Sequence, residues 1–469
     1  MSGQLTEEAV PEAFKVEQRG IEHIPGSERY LRPTGLFWLW AGGIWNVEFL
    51  VYGALVVSFG LSFWQAVAAI LVGNAFYCLL GLLSLQGPET GTTAFMVSRA
   101  PFGRNGNRVV SLFNWATQVG FEIEGIALVV LVALALFARG GVHPTTTLKA
   151  VLIVAAVGVQ FVVPFLGHAT ITKVLRWLSF PFIILFAIMA ALVAPHVDLA
   201  KLHQHGSWET WTTGLVLIVS AGGLGWTENG NDYSRYLPRS TPKLRTFAAA
   251  TLGGAIPSIA LELLGAAAFV VSPKVTAVTG IPSSFASWFF WPFLILALPQ
   301  LFAINSLDLY SSGVTLQALG VPIRRWGAVV VDTVVAGAVT ALVVFKGNFY
   351  ADLSGFLDYI VVWLGPWFGI VLTDWLLRRR TYTAEDLEGR RWSGFGWPAL
   401  AAQALGMVAA LMWTDALYYV PSYVGPVSHR LGGSDFSWAA GIVVGGAAYA
   451  LLSVASSSSD LRAATTSRR

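Results

Sequence analysis

The stretch that decides the fold is 214-GLVLIVSAGGLGWTENGNDYSRYLP-238, in which an apolar, glycine-containing segment ends in a dense group of polar residues. Gly222, Gly223 and Gly225 precede a carboxylate and an amide, at Glu228 and Asn229. Lipid cannot satisfy the backbone groups that a broken helix exposes, nor a buried charge, so such segments line routes for solutes or ions. The pattern therefore predicts an interrupted membrane-spanning helix on such a route.

A second segment has the same character near the start of the chain. In 39-LWAGGIWNVEFLVYG-53, Gly42 and Gly43 are followed by an amide and a carboxylate, Asn46 and Glu48. Glycines in membrane helices can also serve only to allow close packing, which is the alternative. Two glycine pairs at corresponding positions, each followed by a carboxylate and an amide, favour paired interruptions and an inverted repeat of five plus five helices.

The composition indicates that lipid surrounds most of the chain. Of 469 residues, 55% are hydrophobic and 12% are charged, whereas soluble domains average about 25% charged residues. A helix needs about 20 apolar residues to cross a bilayer. We therefore predict an all-α integral membrane protein with twelve transmembrane helices, at 36–60, 63–86, 108–138, 147–167, 172–194, 210–227, 244–272, 284–318, 326–345, 354–377, 396–414 and 436–455.

The distribution of positive charge predicts the orientation. Lys and Arg concentrate in the segments that a twelve-span map with both ends inside assigns to the cytoplasm, as the positive-inside rule requires. Because the first 35 residues are polar, we expect no removable signal peptide. We expect a multi-pass protein of the cell inner (plasma) membrane with both termini cytoplasmic. Asp232 and Arg235, three residues apart, are predicted to form an ion pair at the cytoplasmic end of span 6.

The predicted map divides the chain into five parts. These are a cytoplasmic N-terminal tail (1–35), a first five-helix repeat (36–194), a second, inverted five-helix repeat (210–377), two additional helices (396–455) and a disordered cytoplasmic tail (456–469). The single cysteine, Cys78, excludes an intrachain disulfide. No cofactor, no metal and no nucleic-acid partner is predicted. Membrane lipid and a small-molecule substrate are the expected partners, and the oligomeric state stays open.

Two further spans carry carboxylates that lipid would penalise. At 100° per residue, one face of span 3 carries four candidate residues: Gln118, Phe121, Glu122 and Gly125. Glu124 lies well round from that face, so we expect Glu122 to face a cavity and Glu124 to pack against another span. In span 8, Asn305 and Asp308 share a face. Function is the default interpretation of such a carboxylate, and a structural hydrogen bond is the alternative.

Several ordered motifs carry a family resemblance: 87-GPETGTTAFMVSRAPFGRNG-106, 113-FNWATQVGF-121, 231-NDYSRYLP-238 and 365-GPWFGIVLTDWLLRR-379. Together they resemble the nucleobase:cation symporter-1 family, and especially its purine–cytosine permeases. The resemblance implies a LeuT-like fold of five plus five inverted helices with two extra C-terminal helices. It also implies a substrate site between spans 1, 3, 6 and 8, with Phe121 and Trp226 as the stacking aromatics. Gly125 and Asp308 replace amides of relatives, so the substrate is left open.

The predicted substrate-binding residues combine both lines of inference: Gly43, Asn46, Glu48, Gln118, Phe121, Glu122, Gly125, Trp226, Glu228, Asn229, Asn305 and Asp308. In sodium-coupled members of the family, the ion lies between the break of span 1 and hydroxyl residues early in span 8. The corresponding stretch here, 297–304, contains no Ser or Thr. We therefore expect H⁺ rather than Na⁺ as the coupling ion, carried by Asp308, Glu122 or Glu48.

These features predict a secondary active transporter, a symporter that imports a nucleobase or a related planar nitrogenous compound by alternating access. Cytosine, a purine or a hydantoin-like compound are the candidates. The alternatives are sodium coupling, or a cationic, donor-rich solute such as a vitamin-like or guanidine-type compound. A channel would need a continuous polar stripe, whereas the polar residues cluster at mid-membrane. An enzyme is not predicted, because no nucleophile–base spacing and no metal motif is present.

Overall fold

The computed structural model describes residues 11–198, 205–346, 349–389, 394–416 and 422–466, and within these ranges the chain is almost entirely helical. The helices are α1 Pro33–Ile44, α2 Val47–Ser58, α3 Phe63–Asn74, α4 Tyr77–Leu83, α5 Gln86–Thr90, α6 Ala94–Val97, α7 Arg99–Arg139, α8 Thr146–Leu166, α9 His168–Val193, α10 Trp208–Ala221, α11 Gly230–Ser234, α12 Lys243–Val271, α13 Phe290–Ala318, α14 Arg325–Lys346, α15 Phe349–Leu377, α16 Ala384–Glu388, α17 Trp397–Trp413, α18 Pro426–Arg430 and α19 Ser437–Thr466. The strands β1 (Asp415–Ala416) and β2 (Tyr423–Val424) form one short antiparallel pair.

The described helices are those of a multi-pass membrane protein. Among the described residues, nine helices are long and apolar enough to cross a bilayer, and α1 with α2 forms a tenth, bent span. The apolar helix α17 is shorter than these. Predicted span 6 corresponds to α10, whose 14 residues cover only about 21 Å at ~1.5 Å per residue. An all-α membrane fold is confirmed, and the count of twelve spans stays a prediction.

The first predicted break is present, but not at its glycines. The helix is bent by 59° between Ile44 and Val47, where Trp45 and Asn46 leave helical geometry. Asn46 caps α2 by accepting a hydrogen bond from the backbone N–H of Glu48 at 3.1 Å. Gly43 remains helical, and a Cβ there would meet the side chain of Leu307 at 2.6 Å. The polar cap therefore starts the second helix after the break, whereas the glycine allows close packing.

The second predicted break follows α10. Residues 222–226 form irregular turns, a 3-10 turn covers Thr227–Asn229, and the short α11 follows. A Cβ at Gly223 would overlap the backbone of Phe76, so this position requires glycine. The long spans α7 and α13 pack closely against each other, and α1 and α2 contact α13. The second broken segment reaches α7, where the Trp226 ring lies against the Phe121 ring. The fold thus gathers predicted spans 1, 3, 6 and 8 around one point.

Arg235 is buried and does not form the predicted ion pair with Asp232. Its guanidinium donates to the Gly20 carbonyl at 2.5 Å and to the Tyr310 hydroxyl at 2.8 Å. Asp232 accepts instead from the backbone N–H of Ala94 at 3.0 Å. The three-residue spacing predicts an ion pair only on the exposed surface of a regular helix. It does not apply here, because α11 is only one turn long and is enclosed by other segments.

The N-terminal segment from residue 11 onward is packed against the bundle, and the carboxylate of Glu17 is its best-connected group. Glu17 accepts from the His168 backbone N–H at 2.9 Å, from the Tyr310 hydroxyl at 3.2 Å and from the Tyr236 hydroxyl. Arg325 lies 3.7 Å away. Residues 1–10 of the predicted N-terminal tail lie outside the described residues. At the other end of the chain, α19 continues to Thr466, and residues 467–469 of the predicted C-terminal tail lie outside the described residues.

We expect Glu17→Gln to lower the stability of the fold by about 2–3 kcal/mol, because hydrogen bonds to a buried charge would be lost. Burial alone would raise the pKa of the Glu17 carboxyl, but Arg325, Arg235 and His168 hold it below its ordinary value. A carboxyl of this kind stabilises the fold above its unfolded pKa of about 4.3, and loses that effect as the pH falls through its folded pKa.

Thermal unfolding of the purified protein in neutral detergent, followed across pH, measures both effects. The wild type should lose an increment of stability on acidification below about pH 4 that Glu17→Gln never had. Glu12→Gln is the matched control, because the Glu12 side chain is 59% exposed in its ion pair with Lys15. Equal unfolding temperatures for the wild type and both variants would contradict this account of Glu17.

Candidate functional site

A narrow cavity lies where the two broken segments meet α7 and α13. It is lined by Glu48, Phe49, Tyr52, Phe121, Glu124, Ala221, Trp226, Ile304, Asn305 and Asp308. Five of the predicted site residues belong to this lining: Glu48, Phe121, Trp226, Asn305 and Asp308. They come from α2, α7, the turn after α10, and α13, so the cavity lies where predicted spans 1, 3, 6 and 8 converge.

Two aromatic rings face each other across the cavity. The rings of Phe121 and Trp226 are 13° from parallel, with centroids 6.3 Å apart. Trp226 is held by the edge of Trp40 at 5.6 Å, and Phe121 by the edge of Phe356 at 5.2 Å. A flat ring stacked between two aromatic faces needs about 7 Å, twice the ~3.5 Å of an optimal carbon contact. The centroid distance of 6.3 Å is an upper limit on the gap between the two rings, so the rings must move apart to admit a planar ligand between them.

Three carboxyl groups, those of Glu48, Glu124 and Asp308, line the same cavity. The Tyr52 hydroxyl donates to Glu124 Oε1 at 3.1 Å. Within the described part of the chain, Glu124 Oε2 and Asp308 Oδ1 are buried without a hydrogen-bond partner. No Lys or Arg is among the lining residues. Because buried charges are costly without partners, the cavity is suited to bound protons or to N–H donors of a ligand.

The expectation that Glu122, rather than Glu124, faces the cavity is wrong. Glu122 lies behind the cavity, where its carboxylate accepts from the Ser312 hydroxyl at 2.6 Å, and that hydroxyl is 3.0 Å from Asp332. The reason is helical geometry: Phe121 and Glu124 are only about 60° apart, whereas Glu122 is ~100° from Phe121 on the other side. The cavity lies on the side of α7 that carries Phe121 and Glu124, whereas the predicted face was centred on the side that carries Glu122.

Three predicted residues form a hydrogen-bonded group beside the cavity and not in its lining. Gln118 Nε2 donates to Glu228 Oε1 at 3.1 Å, and Asn229 Nδ2 donates to Gln118 Oε1 at 3.3 Å. Glu228 Oε2 is buried without a partner in the described structure.

The remaining predicted residues have structural contacts. Asn46 caps α2, and Gly43 packs against Leu307. A Cβ on Gly125 would overlap the side-chain amide of Asn305, which also donates to Gln160 Oε1 at 2.8 Å. Gly125 therefore sets the approach of α7 to α13, and so the position of Asn305 in the lining.

Sequence reasoning missed Tyr52, which donates to Glu124 and lines the cavity. A signal for it existed, because Tyr52 is four residues after Glu48 and thus lies on the same helix face. The contact with Glu124 carried no signal of its own, since it joins residues 72 positions apart.

Gln300 joins α13 directly to the break between α1 and α2. Its side-chain Oε1 accepts from the Val47 backbone N–H at 3.1 Å, and its carbonyl accepts from Asn46 Nδ2 at 3.4 Å. Gln300 is buried, and its Nε2 has no partner among the described residues. A neutral side chain thus makes the link between the break and α13.

Comparison with known proteins gives a consistent result. A family model described as permease for cytosine/purines, uracil, thiamine and allantoin matches residues 23–441. YxlA of Bacillus subtilis is 29% identical, over 94% of this chain and 96% of that protein. The purine-cytosine permease FCY2 of Saccharomyces cerevisiae is 25% identical, over 90% of this chain and 84% of its own length. The cytosine permease of Escherichia coli K12 is also 25% identical, over 80% of this chain and 83% of its own length.

Solved structures share the fold at low sequence identity. Mhp1, a nucleobase-cation-symport-1 family transporter in a closed conformation with bromovinylhydantoin bound, has a TM-score of 0.75 at 19% identity, over 93% of this chain and 94% of its own. Mhp1 in an inward-facing conformation has a TM-score of 0.69 at 18% identity, over 95% of this chain and 96% of its own. The fold is therefore that of this class of helical membrane transporters.

We expect Gly125→Ala to lower the stability by about 1–3 kcal/mol, because the added methyl group would overpack the contact between α7 and α13. Gly158→Ala in α8 is the matched control, since a Cβ there meets nothing within 4 Å. It should leave the unfolding temperature unchanged or raise it, as alanine favours a helix over glycine. Thermal unfolding in detergent checks both, and a Gly125→Ala variant as stable as Gly158→Ala would contradict the proposed close approach.

Proposed function

The chain belongs to the family of permeases for cytosine/purines, uracil, thiamine and allantoin, and we propose that it imports a nucleobase or a related small planar nitrogenous compound. Cytosine, a purine and a hydantoin are the candidate substrates. The observation that carries the proposal is the pair of nearly parallel rings, Phe121 and Trp226, beside the carboxyl groups of one buried cavity. Aromatic faces bind a flat heterocycle, and carboxyl oxygens accept hydrogen bonds from its N–H groups.

The proposed mechanism is secondary active symport by alternating access. In support, the related Mhp1 has been solved in both a closed and an inward-facing conformation. The proposed arrangement is twelve spans in the inner (plasma) membrane, with both termini cytoplasmic. It consists of two inverted repeats, 36–194 and 210–377, and two additional helices in 396–455. The breaks after Ile44 and after Ala221, at corresponding positions of the two repeats, support this arrangement.

We propose H⁺ as the coupling ion, carried by Asp308, Glu48 and Glu124. Glu124 takes the place of Glu122 in this proposal, because only Glu124 lines the cavity. Two observations favour H⁺ over Na⁺. The cavity holds three carboxyl groups with no cationic side chain in its lining. In addition, Gln300 bonds directly to the break of α1 and α2, in a stretch that offers no hydroxyl ligands for sodium.

A cationic, donor-rich solute of the guanidine or vitamin type is the second candidate substrate. It is favoured by Glu124 Oε2 and Asp308 Oδ1, two buried oxygens that have no hydrogen-bond partner among the described residues. They could accept paired N–H groups of an amidine or guanidine edge. Competition distinguishes the two classes. If the substrate is a nucleobase or a related planar compound, excess unlabelled cytosine, hypoxanthine or hydantoin should reduce the uptake of labelled substrate. If the substrate is a cationic, donor-rich solute, only guanidine-type compounds should reduce that uptake.

Trp226→Leu tests the proposed stacking face. We expect the KM for uptake of labelled substrate into proteoliposomes to rise about tenfold, because base–aromatic stacking contributes roughly 1–3 kcal/mol. Trp177→Leu is the matched control, since Trp177 is 67% exposed on the outer surface of the bundle and should keep the wild-type KM. A wild-type KM for Trp226→Leu would exclude this ring from the substrate site.

Glu124→Gln and Glu122→Gln form a second matched pair on one helix. We expect Glu124→Gln to raise the KM about tenfold. The substitution replaces a carboxylate, which accepts a charge-assisted hydrogen bond from the substrate, with a neutral amide. Glu122→Gln should change the KM by less than about threefold, because its carboxylate is engaged behind the cavity by Ser312. Uptake kinetics measure both, and the reverse order of effects would restore Glu122 to the site.

A further inference from the structure

A second cavity lies away from the candidate substrate site, at the end of the bundle that charge patterning predicts to be cytoplasmic. It is formed by α5, the residues before and at the start of α12, and the residues that follow α15. Its lining includes Arg239, Lys243 and Arg380 together with Thr241, Thr246 and Thr381. Among the described residues of the lining, Glu89 is the one carboxylate. Positive charge therefore exceeds negative charge in this cavity, and hydroxyl groups accompany it.

The three cationic side chains are available to a ligand. Within the described ranges, none of Arg239, Lys243 and Arg380 has a carboxylate within ion-pair distance. The Arg380 guanidinium lies over the Trp375 ring at 5.8 Å, which holds the planar group at the edge of the cavity. Arg239 and Lys243 are exposed. Glu89 of the same lining interacts electrostatically with Lys243 and Arg239. Three cations against one described carboxylate still leave a positive charge that attracts an anionic group.

The start of α12 adds backbone donors to the same place. This helix is 29 residues long, begins at Lys243, and has Pro242 as its N-cap with no side-chain hydrogen bond. The first N–H groups of a helix have no partner within the helix, and its dipole favours an anion there. Such a terminus is a frequent binding place for phosphate when further donors are present.

Thr246 provides an independent indication of a ligand. This residue lines the cavity from the first turn of α12 and is only 1% exposed. Its hydroxyl Oγ1 is buried and has no hydrogen-bond partner among the described residues. A buried hydroxyl without a partner is costly, and an oxygen of a bound anion would satisfy it.

We propose that this cavity binds a phosphate group, held by Arg239, Lys243 and Arg380, by the N-terminal backbone of α12 and by the Thr246 hydroxyl. The ligand is either the headgroup of an anionic phospholipid or a free phosphate. Both would offer the same charged oxygens, and basic cavities at the cytoplasmic end of membrane helices suit lipid headgroups in particular. A bound phosphate would tie α5, α12 and the end of α15 together.

The test uses the full-length protein in neutral detergent at fixed pH and ionic strength. Inorganic phosphate is titrated in one arm, and short-chain phosphatidylglycerol in the other, with phosphatidylcholine as the zwitterionic reference. The rise in unfolding temperature is recorded at each concentration. We expect Thr246→Val, which keeps charge and volume, to raise the half-effective concentration about tenfold. The combined variant Arg239→Gln, Lys243→Gln and Arg380→Gln should lose the effect.

The matched control removes three exposed cations elsewhere at the same predicted end: Arg104→Gln, Arg176→Gln and Arg324→Gln. It should respond like the wild type. Stabilisation by both probes, or by phosphatidylglycerol alone, identifies a lipid-headgroup site, and stabilisation by inorganic phosphate alone identifies a site for free phosphate. The proposal is overturned if neither probe stabilises the wild type more than phosphatidylcholine does, or if the triple variant and its control respond equally.

Discussion

A helix that breaks inside a membrane must find partners for the backbone groups that it frees, and this requirement organises the centre of the molecule. Between α1 and α2, Asn46 caps the second half, and Gln300 of α13 accepts from the Val47 N–H. The break is thereby fixed to α13. Because α13 also packs against α7 through Gly125 and Asn305, one set of contacts brings the polar residues of distant segments to one place.

The cavity that results combines groups that neither lipid nor a simple apolar core would favour. Phe121 and Trp226 present nearly parallel faces. Glu124 and Asp308 each have a buried oxygen without a partner in the part of the chain that the structure describes. A ligand or a proton can satisfy groups that the protein itself does not. The N-terminal segment contributes a second group of contacts, where Glu17 joins Tyr236, Tyr310 and Arg325. These contacts hold four separate parts of the chain together.

The sequence predicted the membrane class and the presence of the two broken segments, because apolar length and polar caps are local signals, although the first break lies beyond its glycines. Phe121 and Trp226 line the cavity, and their role in binding a substrate stays a prediction. The sequence misplaced Glu122, since a helical wheel gives the angles between residues but not the direction of the cavity. It also missed the link between Tyr52 and Glu124, which depends on packing of residues 72 positions apart. The pairing of Asp232 with Arg235 failed for the same reason, because distant segments supply their partners.

The central claim is that a planar substrate and protons use the same cavity, and charge movement tests it most directly. Proteoliposomes adsorbed on a solid-supported membrane can be given a pulse of substrate in sodium-free buffer. The account predicts a transient positive current in the direction of substrate entry, because each transport cycle carries protons with a neutral substrate. A current that appears only when sodium is present would contradict the account.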